Sequence, residues 1–296
     1  KEYNGYMFEA EKAGFKVTPN HRVAYYSSIY LRRNGKLNLN VELAENFIQG
    51  NDKMYLVAGN INQISKYQEF SDDFIRLLVA IQADAHYAIN CSSIEFCFVK
   101  QRKIDRLIGL LDSLDIPYTK RTSFRKGRIE TYIRLTVSDY TKKIRKILVD
   151  KKFTNEFLKF NHHQMSVLVE EIQYWDGTIK SNGDVILDTT CEQSADILNT
   201  ICSLVGKKNR YSKYLKKVGN SEVLIYRVYI SRISTLPCLS SSNGLDKVQY
   251  NGFVGCVSVP SGFVLVRRNN KIVVSGNSLN AQKLDIDRNS AKSMSY

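Results

Sequence analysis

No CxxC pair occurs among the six cysteines (Cys91, Cys97, Cys191, Cys202, Cys238 and Cys256), and only four histidines accompany them. Neither a zinc module nor a disulfide scaffold is expected from such spacing. Several of these thiols lie in apolar runs, the usual setting of buried cysteine in a reducing compartment. No stretch approaches the roughly 20 apolar residues needed to span a bilayer, and no charged-then-apolar leader opens the chain. A soluble, cytoplasmic protein without a membrane partner is therefore expected. An initiator methionine is also missing: Lys1 stands first, as in a mature or truncated piece. Acidic residues are in deficit, 29 against 43 lysines and arginines, and the net charge of +14 is spread along the chain. With 18 tyrosines and 13 phenylalanines, that balance points to folded surfaces that meet nucleic acid. The 296 residues suffice for two compact domains.

The two ends echo each other, and the middle does not match them. Tyr3-Asn4-Gly5 followed by Gly14-Phe15 returns as Tyr250-Asn251-Gly252 followed by Gly262-Phe263. Likewise, Leu31-Arg32-Arg33-Asn34-Gly35-Lys36 returns as Val266-Arg267-Arg268-Asn269-Asn270-Lys271. Alternating apolar and polar residues punctuated by Gly and Asn are the grammar of strands and hairpins, so both ends read as one β-rich domain with internal pseudo-symmetry. The middle carries a second repeat. Phe74, Ile75, Leu77, Leu78 and Ile81 mark an amphipathic helix over 72–83. After it come an apolar strand at 94–99, a helix at 103–114, strands near 118–124 and 130–137, and a helix at 138–149. From Gln164 the order returns: a helix through Trp175, a strand at 184–189, a helix at 194–205, and strands near 209–215 and 223–230. Two successive units of this kind predict a pseudo-dimer. Polar and glycine residues at 60–72 and 240–244 read as linkers, which sets a mixed α/β module inside a β-rich one. After Asn277 the composition turns polar with helical spacing.

Thr18-Pro19-Asn20-His21 follows a strand-like run. A histidine near an amide nitrogen can donate a proton to a departing amine, and the segment resembles the T-x-x-H motif of intein splicing domains. In those domains threonine and histidine activate the upstream scissile bond. Residues 250–278, YNGFVGCVSVPSGFVLVRRNNKIVVSGNS, resemble C-terminal intein segments almost throughout and end in Asn277-Ser278. An asparagine side chain can attack its own carbonyl to form a succinimide, breaking the following peptide bond, and the hydroxyl after it can accept the upstream segment as an ester. The resemblance implies a horseshoe-like splicing domain of the Hint type that needs no cofactor, with Thr18, His21, Cys256, Asn277 and Ser278 at its centre. Gly276 and Phe263 stand where most inteins carry histidine, so cyclisation leans on other groups, and Gly276 is expected to supply backbone freedom for the attack. Cys256 takes the place of an aspartate found in many relatives. Its readings are a spectator or supporting thiol and a branching nucleophile. Inteins also begin with Cys or Ser several dozen residues before T-x-x-H, whereas 17 residues precede Thr18 here. A missing N-terminal intein segment, supplied in cis or in trans, is thus an expected partner, and the sequence leaves a split intein and a truncated chain both open.

In the middle, Leu77 to Ala85 (LLVAIQADA) and Leu168 to Gly177 (LVEEIQYWDG) resemble the paired LAGLIDADG helices of homing endonucleases, each ending in an acid, Asp84 and Asp176. In that family the helices pack at a pseudo-dyad and their acids bind divalent metal. Oxygen ligands suit Mg²⁺, which can activate water and stabilise the leaving oxygen in phosphodiester cleavage. The strands carry Lys120, Arg121, Arg125, Lys126, Arg128 and Arg134 in one repeat and Lys213, Lys216, Lys217 and Arg227 in the other. A curved sheet presenting these on one face can follow a major groove, phosphate contacts setting register and polar side chains reading bases. Residues 278–296, SLNAQKLDIDRNSAKSMSY, resemble the fingers helix of family A DNA polymerases, phage polymerases included, with Arg288, Lys292 and Tyr296 on its R-x3-K-x3-[FY] pattern.

The expected architecture is α+β. A splicing domain at 1–68 and 240–277 is interrupted by an endonuclease at 69–239 whose repeats span about 72–150 and 163–236, and 278–296 is a fragment of the DNA polymerase extein. The expected partner is double-stranded DNA at the intein insertion site, and the expected state a monomer. Two rivals remain: a free-standing LAGLIDADG endonuclease or maturase, and a degenerate endonuclease that only binds DNA.

Overall fold

The computed structural model describes residues 1–11, 13–28, 38–47, 54–59, 61–87, 93–233, 235–239, 245–257 and 259–276. The chain divides into two compact units. One comprises Lys1–Gly59, Gly206–Lys208 and Ile233–Tyr296, and the other Asn60–Val205 and Asn209–Arg232. The first unit opens with strands β1 (Glu2–Ala10), β2 (Phe15–Val17), β3 (Arg22–Ser27), β4 (Leu39–Leu43) and β5 (Met54–Val57), with one helical turn at Ala44–Phe47. The second begins with helix α1 (Asp72–Asp84), β6 (Ala85–Tyr87), β7 (Ile94–Phe98), α2 (Gln101–Ser113), β8 (Tyr118–Arg125), β9 (Arg128–Leu135) and α3 (Asp139–Ile147). It repeats the order with α4 (His162–Glu171), β10 (Thr178–Ile179), β11 (Val185–Thr189), α5 (Glu192–Leu204), β12 (Asn209–Val218) and β13 (Ser221–Ile230). The chain then returns to the first unit as β14 (Thr235–Leu239), β15 (Asp246–Phe253), β16 (Phe263–Arg268) and β17 (Lys271–Gly276).

Local chemistry sets the helix starts. Ser71 caps α1 by accepting from the Phe74 amide, and Asp72 and Asp73 sit in the first turn, where the helix dipole favours negative charge. Ser138 with Thr141, and Asn161 with Gln164, form reciprocal capping boxes before α3 and α4. The apolar stripe of α1, Phe74 to Ile81, is buried and packs against α4. The two sheets of this unit have the same order, β6-β7-β9-β8 and β10-β11-β13-β12, and with the helices they enclose one core that includes Leu78, Leu107, Ile133, Phe157, Leu168, Leu198 and Val228.

Three details differ from the sequence reading. The helix expected to run through Trp175 ends at Glu171 and tightens into a 3₁₀ turn at Ile172–Tyr174. Gly177 then folds back so closely that a Cβ there would stand 2.7 Å from the Ile172 carbonyl oxygen. The short edge strands β6 and β10 carry too few residues to show an alternation. Residues 61–70 have no regular structure, yet they are packed: the Gln63 amide donates to the Leu158 and Phe160 carbonyls, and Tyr67 stacks on Phe70.

In the first unit, the sheets β15-β1-β2, β14-β5-β3-β4 and β16-β17 surround a small core of Phe8, Phe15, Val17, Val23, Tyr25, Phe47, Leu56 and Val273, among others. The Tyr-Asn-Gly echo is a strand pair. In β1 and β15, Asn4 faces Asn251, Tyr3 faces Gly252 and Gly5 faces Tyr250. Each tyrosine covers the glycine two residues on, since alternate residues share a strand face. A Cβ would stand 3.0 Å from the Tyr3 hydroxyl at Gly5 and 2.9 Å from the Tyr250 hydroxyl at Gly252. The hydroxyls donate to the Tyr6 and Phe253 carbonyls at 2.6 and 2.9 Å. The Arg-Asn echo is described only in its second copy, where Asn269 and Asn270 adopt left-handed backbone (φ 51° and 58°) in the β16–β17 turn. Its first copy, Leu31 to Lys36, lies outside the described residues. Among the described residues no helix is long and apolar enough to cross a membrane.

The α1–α4 contact carries a direct test. Leu78 of α1 is fully buried, and Leu78→Ala is expected to cost about 2–5 kcal/mol of unfolding free energy, read as a lowered urea midpoint.

Candidate functional site

Asp84 is the last residue of α1, and Asp176 follows the turn that ends α4. Packing of the two helices brings these acids to one ammonium group. Lys103 Nζ lies 2.5 Å from Asp84 Oδ2 and 3.8 Å from Asp176 Oδ1. The Lys103 side chain is almost buried, 11% exposed, and its ammonium stands 6.0 Å from the ring centroids of both Phe98 and Trp175. Loss of water on the protein side, and next the like charge of Asp84, push the Asp176 carboxyl above the usual carboxylate range, while Lys103 and Lys151 oppose the shift. Burial holds the Lys151 ammonium below its usual value despite the attraction of Asp176 and Asp84. Lys151 and its neighbour Asp150 both adopt left-handed backbone, φ 58° and 52°, a conformation that costs energy in non-glycine residues.

The donor set suits a hard cation. Two carboxylates face a position already taken by a cationic group, and oxygen donors are what Mg²⁺ prefers. Among the described residues no group of three or more His, Cys, Asp or Glu that could hold a metal ion occurs. The sequence reading found both acids but missed Lys103 and Lys151. Its available signal was a lysine on the apolar stripe of α2, in line with Leu107, Leu110 and Leu111.

The ten candidate nucleic-acid cations divide between two faces, which corrects the expectation of a single one. Arg121 pairs with Tyr132 and Arg125 with Arg128, while Lys120 pairs with Ile133. Because Ile133 points into the core and directly paired residues share a face, Arg121, Arg125, Arg128 and Arg134 lie on one face and Lys120 on the face of Ile133, where its own side chain is still exposed. In the second repeat Tyr211 pairs with core residue Val228. Lys213 and Lys217 therefore share the face of Tyr211, though both are exposed, and Lys216 and Arg227 lie on the other face with Arg210, which the sequence reading omitted. Lys126 sits in the β8–β9 turn with Gly127, both at positive φ. Several of the arginines are already paired: Arg227 with Asp188 through two bonds of 2.7 Å, Arg134 with Glu95 at 2.8 Å, and Arg128 with Glu130 at 3.1 Å. Tyrosines lie among them, Arg121 above Tyr132 and Arg210 above Tyr229.

A second cluster forms in the first unit. The Thr18 hydroxyl donates to Asn20 Oδ1 at 2.9 Å, and the His21 amide donates to the Thr18 carbonyl at 3.0 Å, closing a turn. That turn holds His21 Nε2 2.7 Å from the hydroxyl of Ser275, near the end of β17. Burial, aided by the Arg22 charge, lowers the His21 pKa to about 4. Gly276 is explained by space rather than by backbone freedom. Its φ is not left-handed, and a Cβ would stand 2.7 Å from both Cβ and carbonyl oxygen of Arg22 and 3.0 Å from the Phe263 ring. Arg22 in turn lies over Phe263 and donates to the Gly262 carbonyl at 3.1 Å. Cys256 is exposed, its sulfur 3.9 Å from the Val257 carbonyl. Asn277 and Ser278, and with them Arg288, Lys292 and Tyr296, lie outside the described residues.

No family model matches the chain. Among curated proteins it is 24% identical over 220 residues, 68% of its length, to the ribonucleoside-diphosphate reductase subunit beta of Aquifex aeolicus, and it spans 30% of that relative's length. Among solved structures it is similar to the homing endonuclease I-DmoI in complex with DNA and manganese, with a TM-score of 0.39, 13% identity, and coverage of 54% of this chain and 89% of the other. It is also similar to the N-terminal LAGLIDADG domain of DUF199/WhiA, with a TM-score of 0.36, 12% identity, and coverage of 58% and 89%.

The His21 environment predicts a pH dependence. Its folded pKa near 4 lies below its ordinary value of 6.5, so between those values the unfolded chain binds more protons and stability falls as pH falls. Nuclear magnetic resonance of the His21 ring should show a midpoint near 4. His21→Gln should flatten this part of the urea-midpoint profile between pH 6.5 and 4.

Proposed function

We propose that this chain is a protein-splicing element whose middle carries a divalent-metal-dependent DNA endonuclease. The observation that carries the nuclease reading is the convergence of Asp84 and Asp176, one from each repeat, on the single cationic position held by Lys103. Asp84 and Asp176 would hold Mg²⁺. When bound, the metal supplies Lewis-acid stabilisation and an activated water for phosphodiester cleavage. The chain's own part is to hold the acids at helix ends, keep Phe98 and Trp175 as a dry wall beside them, and meet the DNA backbone with the sheet arginines. Double-stranded DNA at the insertion site is the proposed substrate.

The splicing reading is supported by His21 and Ser275. Residues from opposite ends of the chain meet within hydrogen-bond distance, two residues before the asparagine proposed to cyclise. In that step the Asn277 side-chain nitrogen bonds to its own carbonyl carbon, the bond to Ser278 breaks, and the Ser278 amine departs with a proton. At the upstream scissile bond, His21, neutral at pH 7, is suited to exchange a proton without carrying a standing charge. Thr18 shapes its turn. A missing N-terminal segment and DNA polymerase exteins are the proposed partners, with the chain acting as a monomer. A second reading, DNA binding without cleavage, is favoured by one observation, that Lys103 already occupies the cation position beside both acids.

Two experiments separate these readings. Asp84→Asn and Asp176→Asn should each lose Mg²⁺-dependent double-strand cleavage of DNA spanning the uninterrupted host gene, while gel-shift affinity stays close to that of the unmodified chain, because cations rather than acids meet phosphate. Binding without cleavage by the unmodified chain would establish the binding-only reading. Separately, Asn277→Ala should abolish release of the segment after Asn277, followed by mass spectrometry, and Ser278→Ala should block ligation when an N-terminal fragment is added. Unchanged release by the Asn277 variant would exclude cyclisation.

A further inference from the structure

Lys103 is out of place by local rules. It lies in the first turn of α2, where the helix dipole disfavours a cation and no acid of that turn offsets it. It is also nearly buried, and an ammonium removed from water persists only when paired. Its partners are the two acids, 2.5 and 3.8 Å away. The ring of Trp175 beside it is fixed in turn, because the indole nitrogen donates to the buried Glu171 carboxylate at 2.7 Å. Glu171 itself is held by two bonds from Arg106.

We propose that Lys103 is the resident counter-ion of the acid pair: its ammonium takes the cation position between Asp84 and Asp176 in the metal-free protein, and a divalent ion displaces it on binding. This rests on the reading of the pair as a metal site. The physical reason is charge. Two carboxylates offer two negative charges, which one ammonium offsets only in part and one divalent ion offsets fully. An ammonium 2.5 Å from Asp84 and a divalent ion coordinated by the same carboxylate at about 2.0–2.1 Å would stand as like charges within a few ångströms and repel each other. Charge repulsion at that distance favours an entering ion that breaks the Lys103–Asp84 bond. Lys103 thus sets the metal concentration at which the site loads, rather than serving as a passive part of the core. Displacement is geometrically feasible because only the ammonium end must move, and a lysine stem has four rotatable carbons.

The test uses terbium luminescence on the full chain. Trp175 is the only tryptophan and adjoins Asp176, so excitation of its indole reports an ion bound at the pair. Titration with Tb³⁺, and competition with Mg²⁺, would be run on the unmodified chain, Lys103→Met and Lys103→Arg, with Asp84→Asn as the negative control. Removing the competing charge should tighten ion binding about tenfold or more in Lys103→Met, whereas Lys103→Arg should stay within about threefold of the unmodified chain. Lys103→Gln gives the same comparison should the methionine variant fail to fold by circular dichroism. Equal or weaker binding by a folded, uncharged variant overturns the counter-ion proposal while leaving the metal site in place. No sensitised signal from either the unmodified or the uncharged chain overturns the metal reading, and the proposal with it.

Discussion

The contact between α1 and α4 is the constraint on which the second unit depends. Each helix presents a buried apolar face, Phe74 to Ile81 on one and Met165, Leu168 and Val169 on the other, and neither face is covered without its partner. The same packing forces an electrostatic problem at one end. Both acids arrive where helices terminate, close to the negative end of the dipole, and close to each other. Apolar burial overrides that repulsion, and the site answers with Lys103 and Lys151. A place where packing holds like charges together attracts a cation, and this is the physical content of the proposed metal centre.

Glu171 shows the cost of building such a site. It is almost fully buried in α4 and satisfied by Arg106 and by the Trp175 indole. Buried ion pairs return little net stability against an apolar replacement. This one ties α2 to α4 and fixes the tryptophan that walls the Lys103 ammonium. The arrangement of the acid pair is thereby linked to the interior of the unit rather than left to loops.

The first unit solves a different problem, bringing segments near both chain ends to one place. The pairing of β1 with β15 around Asn4 and Asn251 and the contact of His21 with Ser275 join residues about 250 positions apart, 254 for the latter pair. Closeness of the backbones there leaves no room for side chains at Gly276. That accounts for a glycine beside the proposed scissile asparagine without any demand on backbone conformation.

Much of this was written locally. The capping residues Ser71, Ser138 and Asn161, the apolar stripe of α1, the Asn269-Asn270 turn and the acid that follows the first helix of each repeat are set by neighbours within about four residues, so helical and strand periods expose them. The Tyr-Asn-Gly echo was visible as a repeat, but its two copies turned out to be partners in one ladder, which no single copy encodes. The basic strands were legible as basic, whereas the face each cation takes depends on register with the next strand. Lys120, Lys213 and Lys217 share the face of Ile133 and Val228 because register fixes it, although all three are exposed. Lys103 was legible only as a misplaced charge in an apolar stripe. Its meaning came from Asp84 and Asp176, which lie 19 residues before it and far beyond it in sequence, because Coulomb attraction and burial act between groups that meet in space, whatever their separation along the chain.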